Sequence, residues 1–214
     1  MKSKVRVGVI GIGIMGKHHA GNLFRGEIPG AELAAVCDAM PSGLLWAEEQ
    51  FGGKVARFDN VDMFLNSGIV DAVMIVTPHY DHPELGMKAL QAGLHIMVEK
   101  PTGVYTRAIR KLNQKAAESG LTFCTMYNNR TLPRYRKMKD MIDSGELGKL
   151  TRINFIATDW YRTQAYYNAS AWRGTWSGEG GGVLLNQAVH HIDLLQWLCG
   201  MPKRVRAFCR YGLH

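Results

Sequence analysis

The sequence predicts an α/β fold: a Rossmann-type, doubly wound parallel sheet followed by an incomplete α+β domain. Three observations lead there. Short apolar runs alternate with helix-patterned segments through the first 126 residues, a GxGxxG turn follows the first run, and the alternation stops after "TMYNNRTLP". Regular succession of strand and helix is what parallel strands joined by crossover helices require.

In order, "VRVGVI", "ELAAVC", "DAVMIV", "LHIMVE" and "LTFCTM" are the expected strands. They are apolar throughout, as strands covered on both faces are. Between them "MGKHHAGNLFRG", "SGLLWAEEQFG", "HPELGMKALQAG" and "TRAIRKLNQKAAESG" have helical spacing and finish at Gly. Residues 1–126 are therefore one expected domain and residues 127–214 a second. The second is expected to hold a helix over residues 132–144, a strand "LTRINFIAT", an irregular aromatic segment, a helix over residues 183–198 and a last strand "KRVRAFCRYG". On the late helix, Asn186, His190, Asp193 and Trp197 fall along one stripe, with Gln187 and His191 turned roughly 100° away.

Composition narrows the function classes. The net charge of +8 is carried by the second part: residues 1–100 hold 9 basic and 11 acidic residues, residues 101–214 hold 17 and 7. The densest basic stretch, "RTLPRYRKMKDMIDSGELGK", has amphipathic spacing, with Met138, Met141 and Ile142 inside and Arg134, Lys137 and Lys139 outside. That reads as a solvated helix face, not a nucleic-acid surface. No apolar run reaches the roughly 18 residues of a membrane span. The basic-then-apolar start imitates a secretory signal, but its glycine spacing suits a strand and turn, and no small-residue cleavage pattern follows. Cys37, Cys124, Cys199 and Cys209 form no CxxC pair and read as buried thiols in a reducing cytoplasm. The pairs His18-His19, His79-x-x-His82 and His190-His191-x-Asp193 give no compact three-ligand set, so no metal is expected.

"VGVIGIGIMGKHHAG" places Gly11, Gly13 and Gly16 directly after a strand and at the opening of a helix. Such a turn lets a pyrophosphate approach the backbone, and the helix start at Ile14, Met15 and Gly16 offers free N–H groups and partial positive charge. The second strand ends at Asp38, 22 residues beyond Gly16, where an acid accepts hydrogen bonds from an adenosine ribose. A carboxylate there repels a 2'-phosphate and "AMPSG" supplies no Arg or Lys, so NAD is favoured over NADP. "TPHYDHPE" and "MVEKPTG" should leave their strands at the same carboxyl edge, bringing Thr77, Pro78, Glu99, Lys100 and Pro101 to the place where ligands bind in such sheets.

With these pieces the chain resembles the glucose-fructose oxidoreductase and inositol dehydrogenase family, Gfo/Idh/MocA. The resemblance is carried by "GIGIMGKHH", "VCDAM", "VTPHYDH", "VEKP", "IDSGELGKL", "WRGTW" and "GGGVLLNQAVHHIDLLQWLCG", spread from residue 5 to about 208. It implies an N-terminal NAD-binding domain, a C-terminal substrate domain, and reversible oxidation of a sugar or cyclitol hydroxyl. The EKP lysine corresponds to Lys100, followed in the family by a proline that often has a cis peptide, here Pro101. The helical histidine corresponds to His190, which would take the hydroxyl proton while Lys100 stabilises the oxygen. Asn186 stands where many family dehydrogenases have Asp; it can orient a ring or a hydroxyl but adds no charge. His79 replaces a frequent Asn and His82 matches, either one near the nicotinamide ribose.

Arg130, Trp160, Tyr161, Arg162, Trp172 and Arg173 are the sugar-facing candidates, since aromatic faces cover C–H patches and Arg forks bind hydroxyls. Expected partners are a small sugar or polyol and further copies of the chain, with neither nucleic acid nor membrane. Family proteins run considerably longer, so a truncated chain is expected, with either its short sheet completed by oligomerisation or its stability and activity reduced. Two other readings stand beside the dehydrogenase: glycoside cleavage that recycles NAD, and a noncatalytic NAD-binding subunit.

Overall fold

The computed structural model describes residues 4–158 and 161–210. Two units divide the chain, Met1–Met126 and Tyr127–His214.

In the first unit, strands β1 (Val5–Ile10), β2 (Ala31–Cys37), β3 (Ala56–Phe58), β4 (Ala72–Ile75), β5 (His95–Val98) and β6 (Phe123–Thr125) make one parallel sheet in the order β3-β2-β1-β4-β5-β6. The helices are α1 (Ile14–Phe24), α2 (Pro41–Phe51), α3 (Val61–Leu65), α4 (His82–Gln91) and α5 (Thr106–Ser119). Strand residues alternate between two apolar layers. Val7, Val9 and Val36 pack with Ala20 and Leu23 of α1 and Ala47 and Phe51 of α2. Ile10, Val73, Ile75, Ile96 and Val98 pack with Phe64 of α3, Leu90 of α4 and Leu112 of α5. Helices on both faces explain why these strands are apolar at nearly every position. The order reverses between β1 and β4, which opens a crevice at the carboxyl ends of these two strands.

The five expected strands are present. β3 and α3 were not foreseen: three residues centred on the polar Arg57, and a five-residue helix capped by the Asn60 side chain on the Met63 N–H at 3.0 Å, are too short to show a period.

The second unit has helices α6 (Pro133–Asp143), α7 (Gln164–Asn168), α8 (Val183–Asn186) and α9 (Val189–Cys199). It departs from expectation in five places. Neither "LTRINFIAT" nor residues 203–210 of the last expected strand is a strand; residues 211 and 212 lie outside the described residues. Both segments are exposed, and an apolar run becomes a strand only against a hydrogen-bonding neighbour. The single late helix is broken at Gln187 and Ala188, where the Ala188 N–H reaches back to the Val183 carbonyl at 2.7 Å, one residue further than an α-helix allows. Asn186 thus ends α8, while His190, Asp193 and Trp197 lie on α9. On α6, Met138 is exposed, while Met141 and Ile142 are only half-buried. No described residue of α7 was expected to be helical; the Thr163 side chain caps it at the Tyr166 N–H.

Of the four cysteines only Cys37 is buried, and Cys209 is exposed. Burial, helped by Asp38 and Asp59, pushes the Cys37 thiol up to about 12, leaving it an inert packing residue.

Candidate cofactor and substrate site

The turn between β1 and α1 has the geometry of an anion cradle. Gly11 sits at φ +93°, and a Cβ there would lie 2.8 Å from the Val76 carbonyl oxygen, so no other residue fits between β1 and β4. A Cβ on Gly16 would lie 1.8 Å from the Gly11 carbonyl oxygen, so α1 rests directly on the turn. Gly13 is the opposite case: a Cβ would meet nothing within 4 Å. The α1 ladder begins with the Lys17 N–H on the Gly13 carbonyl, so the preceding N–H groups of Ile14, Met15 and Gly16 have no intrahelical acceptor. Ile14 and Met15 are exposed.

Asp38 closes the cradle at the end of β2. Its Oδ2 accepts from the Ile12 N–H at 2.5 Å and its Oδ1 from the Met40 N–H at 2.7 Å. A Cβ on Gly43 would press on this carboxylate at 2.9 Å. Each oxygen keeps a second lone pair, so Asp38 both braces the loop and remains able to accept from a hydroxyl.

Thr77 follows β4 beside Gly11; its hydroxyl is buried and makes no hydrogen bond among the described residues. The Lys100–Pro101 peptide is cis. Glu99 is buried, and its Oε2 accepts from the Lys100 N–H at 3.0 Å, while His19 of α1 meets Oε1 at 3.1 Å. Burial raises the Glu99 pKa, but the His19 and Lys100 contacts outweigh it and hold the carboxyl below its ordinary value. Sequence reading missed His19, because nothing in a single sequence ties it to a residue 80 positions away.

His82, expected with His79 near a nicotinamide ribose, is buried between two loops. Its Nδ1 lies 2.7 Å from the Pro101 carbonyl and its Nε2 2.7 Å from the Thr77 carbonyl, so the ring sits between the two loops, the single N–H of its neutral form donating to one of these carbonyls. His79 is itself buried, with its ring centroid 6.1 Å from that of His82.

Burial lowers the His82 pKa below 6.5, outweighing the two carbonyls, Glu99 and Asp81, which favour the cation. The folded state therefore holds fewer protons than the unfolded chain just below pH 6.5, and stability falls as pH drops from there to the folded pKa. Thermal unfolding between pH 8 and 5 is expected to show this decline. His82→Asn should flatten that part of the profile and cost about 1–3 kcal/mol at pH 8, through lost buried hydrogen bonds.

In the second unit, Arg130 forks onto Asp193, Nε to Oδ2 at 2.8 Å and Nη2 to Oδ1 at 2.5 Å. Its guanidinium also lies over the Tyr127 and Trp197 rings at 5.9 and 5.7 Å. The Asp193 hydrogen bond raises the Arg130 pKa against the effect of burial. Arg130, expected to face a sugar, thus braces α9 through Nε and Nη2. His190 stands edge-on to Tyr127, centroids 6.2 Å apart, and His191 packs on Phe155 at 5.2 Å.

Of the other sugar-facing candidates, Arg173 donates to the Tyr166 hydroxyl and lies over the Tyr166 and Trp172 rings at 4.3 and 4.8 Å. Arg162 lies over Tyr166 from 4.6 Å, and the Gln187 amide reaches the same hydroxyl at 3.5 Å. Tyr166 is the hub of this group and was not singled out from the sequence. Tyr161 is exposed, and Trp160 lies outside the described residues. Glu179 and Asn186 are buried and hydrogen-bonded to each other. Among the described residues, no group of three His, Cys, Asp or Glu side chains is placed to hold a metal.

A 3-2-1-4-5-6 parallel sheet with a glycine cradle at its switch point defines a dinucleotide-binding Rossmann protein. Residues 5–127 match the family model described as "Oxidoreductase family, NAD-binding Rossmann fold", and residues 135–214 match the "GFO/IDH/MocA C-terminal domain". The chain belongs to the Gfo/Idh/MocA oxidoreductase family. It is 29% identical over 200 residues to scyllo-inositol 2-dehydrogenase (NAD(+)) of Bacillus subtilis, covering 94% of this chain and 55% of that protein. Among solved structures it is similar to the WlbA dehydrogenase of Bordetella pertussis in complex with NADH and UDP-GlcNAcA, at TM-score 0.80 and 31% identity, covering 92% of this chain and 60% of that one. Scyllo-inositol dehydrogenase of Lactobacillus casei, with bound NAD(H) and scyllo-inositol, gives TM-score 0.76 and 30% identity over 92% and 57% of the two chains. The chain thus spans little more than half the length of these relatives.

Proposed function

We propose that the chain acts as an NAD-dependent oxidoreductase on a hydroxyl-bearing carbon of a sugar or cyclitol. The observation that carries this reading is the cradle: open space at Gly13, free N–H groups at the start of α1 and the Asp38 carboxylate all meet at one turn. Gly11, Gly13, Ile14, Met15 and Gly16 hold the pyrophosphate, Asp38 the adenosine ribose, and Thr77, Pro78, His79 and Glu99 the nicotinamide end. The unpartnered Thr77 hydroxyl fits this assignment. NAD, when bound, supplies the hydride acceptor.

The chain's own residues supply the proton chemistry. His190 takes the proton from the substrate hydroxyl, since a neutral imidazole accepts one near working pH. Lys100, at the carboxyl end of β5, is the candidate donor to a substrate oxygen on which negative charge develops. Asn186, Tyr161, Trp172 and Arg173 hold the remaining hydroxyls and ring faces. The relatives named above are dehydrogenases, which favours net oxidation over NAD-recycling glycoside cleavage and over a noncatalytic subunit. No helix among the described residues is long and apolar enough to cross a membrane. We place the protein in the cytoplasm as a homo-oligomer; exposed apolar side chains such as Ile156, Trp176 and Phe208 on the second unit support burial against further protein.

The test is the NADH absorbance band on incubation with NAD and a panel of polyols and sugars, with Asp38→Ala alongside. The wild type should reduce NAD in preference to NADP. Asp38→Ala should weaken NAD binding about 10-fold or more through the lost hydrogen bonds and narrow that preference. Aglycone release from a glycoside without NADH would instead favour the recycling reaction.

A further inference from the structure

The stretch that carries Lys100 is held from two sides within the first unit. At the end of β5 the Glu99 N–H still reaches across the sheet to the Ile75 carbonyl, at 2.9 Å. The next N–H, that of Lys100, goes to the Glu99 side chain instead, where Oε2 accepts it at 3.0 Å. The other carboxylate oxygen, Oε1, lies 3.1 Å from Nε2 of His19, and the two side chains are 11% and 15% exposed. Burial works to raise the Glu99 pKa, yet the carboxyl stays below its ordinary value because His19 and the Lys100 N–H both donate to it. An ionised carboxylate only accepts, so Nε2 of His19 carries the hydrogen of this bond. His19 stands on α1, which rests directly on the Gly11 turn through Gly16. Beyond Lys100, the Pro101 carbonyl lies 2.7 Å from Nδ1 of His82. Lys100 thus leaves the sheet between two anchored residues, and the anchor before it runs through Glu99 back to the cradle helix.

We infer that His19 is a positioning residue for Lys100: through Glu99 it fixes where the chain leaves β5, and so sets the backbone from which the Lys100 amine reaches in the frame of the helix that receives the cofactor's phosphates. The inference rests on the reading of Lys100 as the donor to a substrate oxygen, and it adds the residue that holds that donor in place. Loss of His19 should be felt in the chemical step. Charge develops on the oxygen only as the hydride leaves, so a displaced amine weakens the transition state more than it weakens substrate binding. A buried carboxylate also needs donors for stability alone, and the measurements must separate that need from positioning.

The test compares His19→Gln and His19→Asn in the full chain. The two amides share their chemistry and differ by one methylene: Gln can set an N–H donor where Nε2 stands, whereas Asn falls short of Glu99. The first readouts need no activity. Nitrogen NMR of the wild type should find a hydrogen on Nε2 of His19, and a ring that carries it on Nδ1 alone overturns the proposal. Hydrogen exchange of the Lys100 backbone N–H should be about 10-fold faster or more in His19→Asn and close to wild type in His19→Gln. Equal exchange in the two variants overturns the proposal as well. The second readout is kinetic. His19→Asn should lower kcat about 10–100-fold with KM for the polyol within about threefold, and His19→Gln should keep kcat within about threefold of wild type. Added to Lys100→Ala, His19→Asn should cost less than about threefold more, because the group it positions is gone. The same loss with and without Lys100 would make His19 a support for a buried carboxylate and nothing else, and the proposal would fall. A wild type inactive on every polyol defeats the dehydrogenase reading, while the NMR and exchange measurements still decide whether His19 fixes the Lys100 backbone.

Discussion

His190→Ala is expected to abolish measurable turnover, lowering kcat about 10³-fold or more, while NAD affinity stays within about twofold of wild type. The two effects separate because the cradle belongs to the first unit and His190 to α9 of the second. A hydroxyl left without a base must lose its proton to water as the hydride departs, and a positioned imidazole typically contributes about 10²–10⁴ in rate. Lys100→Ala should remove the donor that meets the developing negative charge and by itself cost a factor of about 10²–10³. Steady-state kinetics with isothermal titration of NAD reads both. His190→Ala should also be checked by thermal unfolding, because the ring packs edge-on to Tyr127. A variant that turns over within tenfold of wild type while folding normally would remove His190 from the chemistry.

Much of the first unit is legible in its residues because its signals are local. Strands covered on both faces are continuous apolar runs, helices between them carry a 3.6-residue period, and the Gly11, Gly13 and Gly16 spacing marks the turn from β1 to α1. The second unit was harder for the same physical reason in reverse. "LTRINFIAT" has every property of a strand except a neighbour to pair with, and pairing is not written in the segment itself. The break after Asn186 likewise escapes a periodicity argument, because residues 183–198 keep an apolar helical pattern straight through the 2.7 Å bond from Ala188 to Val183. At the site, residue types and spacings pointed to positions, but partners did not follow from them. His19 with Glu99, Arg130 with Asp193, and Glu179 with Asn186 are made by the fold, and these pairs determine which groups stay available to a ligand.

Gly16→Ala is expected to produce the largest loss of stability of any single methyl group in the cradle, and Gly13→Ala almost none. At Gly16 the new carbon would sit 1.8 Å from the Gly11 carbonyl oxygen and 2.9 Å from its carbon, both backbone atoms of a turn pinned between β1 and β4. Neither can swing aside, so α1 must lift, and Ala20 and Leu23 lose their fit against Val9 and Val36. Overpacking of this kind costs typically 1–3 kcal/mol, and more where the obstacle is backbone, so a loss of about 3 kcal/mol is expected. For a domain of this size that is a Tm lower by roughly 10 °C. NAD affinity should fall with it, since lifting α1 turns its free N–H groups away. At Gly13 the backbone has a negative φ and a Cβ would meet nothing within 4 Å, so Gly13→Ala should fold with Tm nearly unchanged. Its methyl group would instead occupy the space through which a pyrophosphate reaches the backbone, and NAD affinity should drop about 10-fold or more. Differential scanning fluorimetry with NAD titration separates the two variants. Should Gly13→Ala bind NAD as tightly as the wild type, the open side of that turn would not be where the dinucleotide lies, and the cradle's part in cofactor binding would have to be given up.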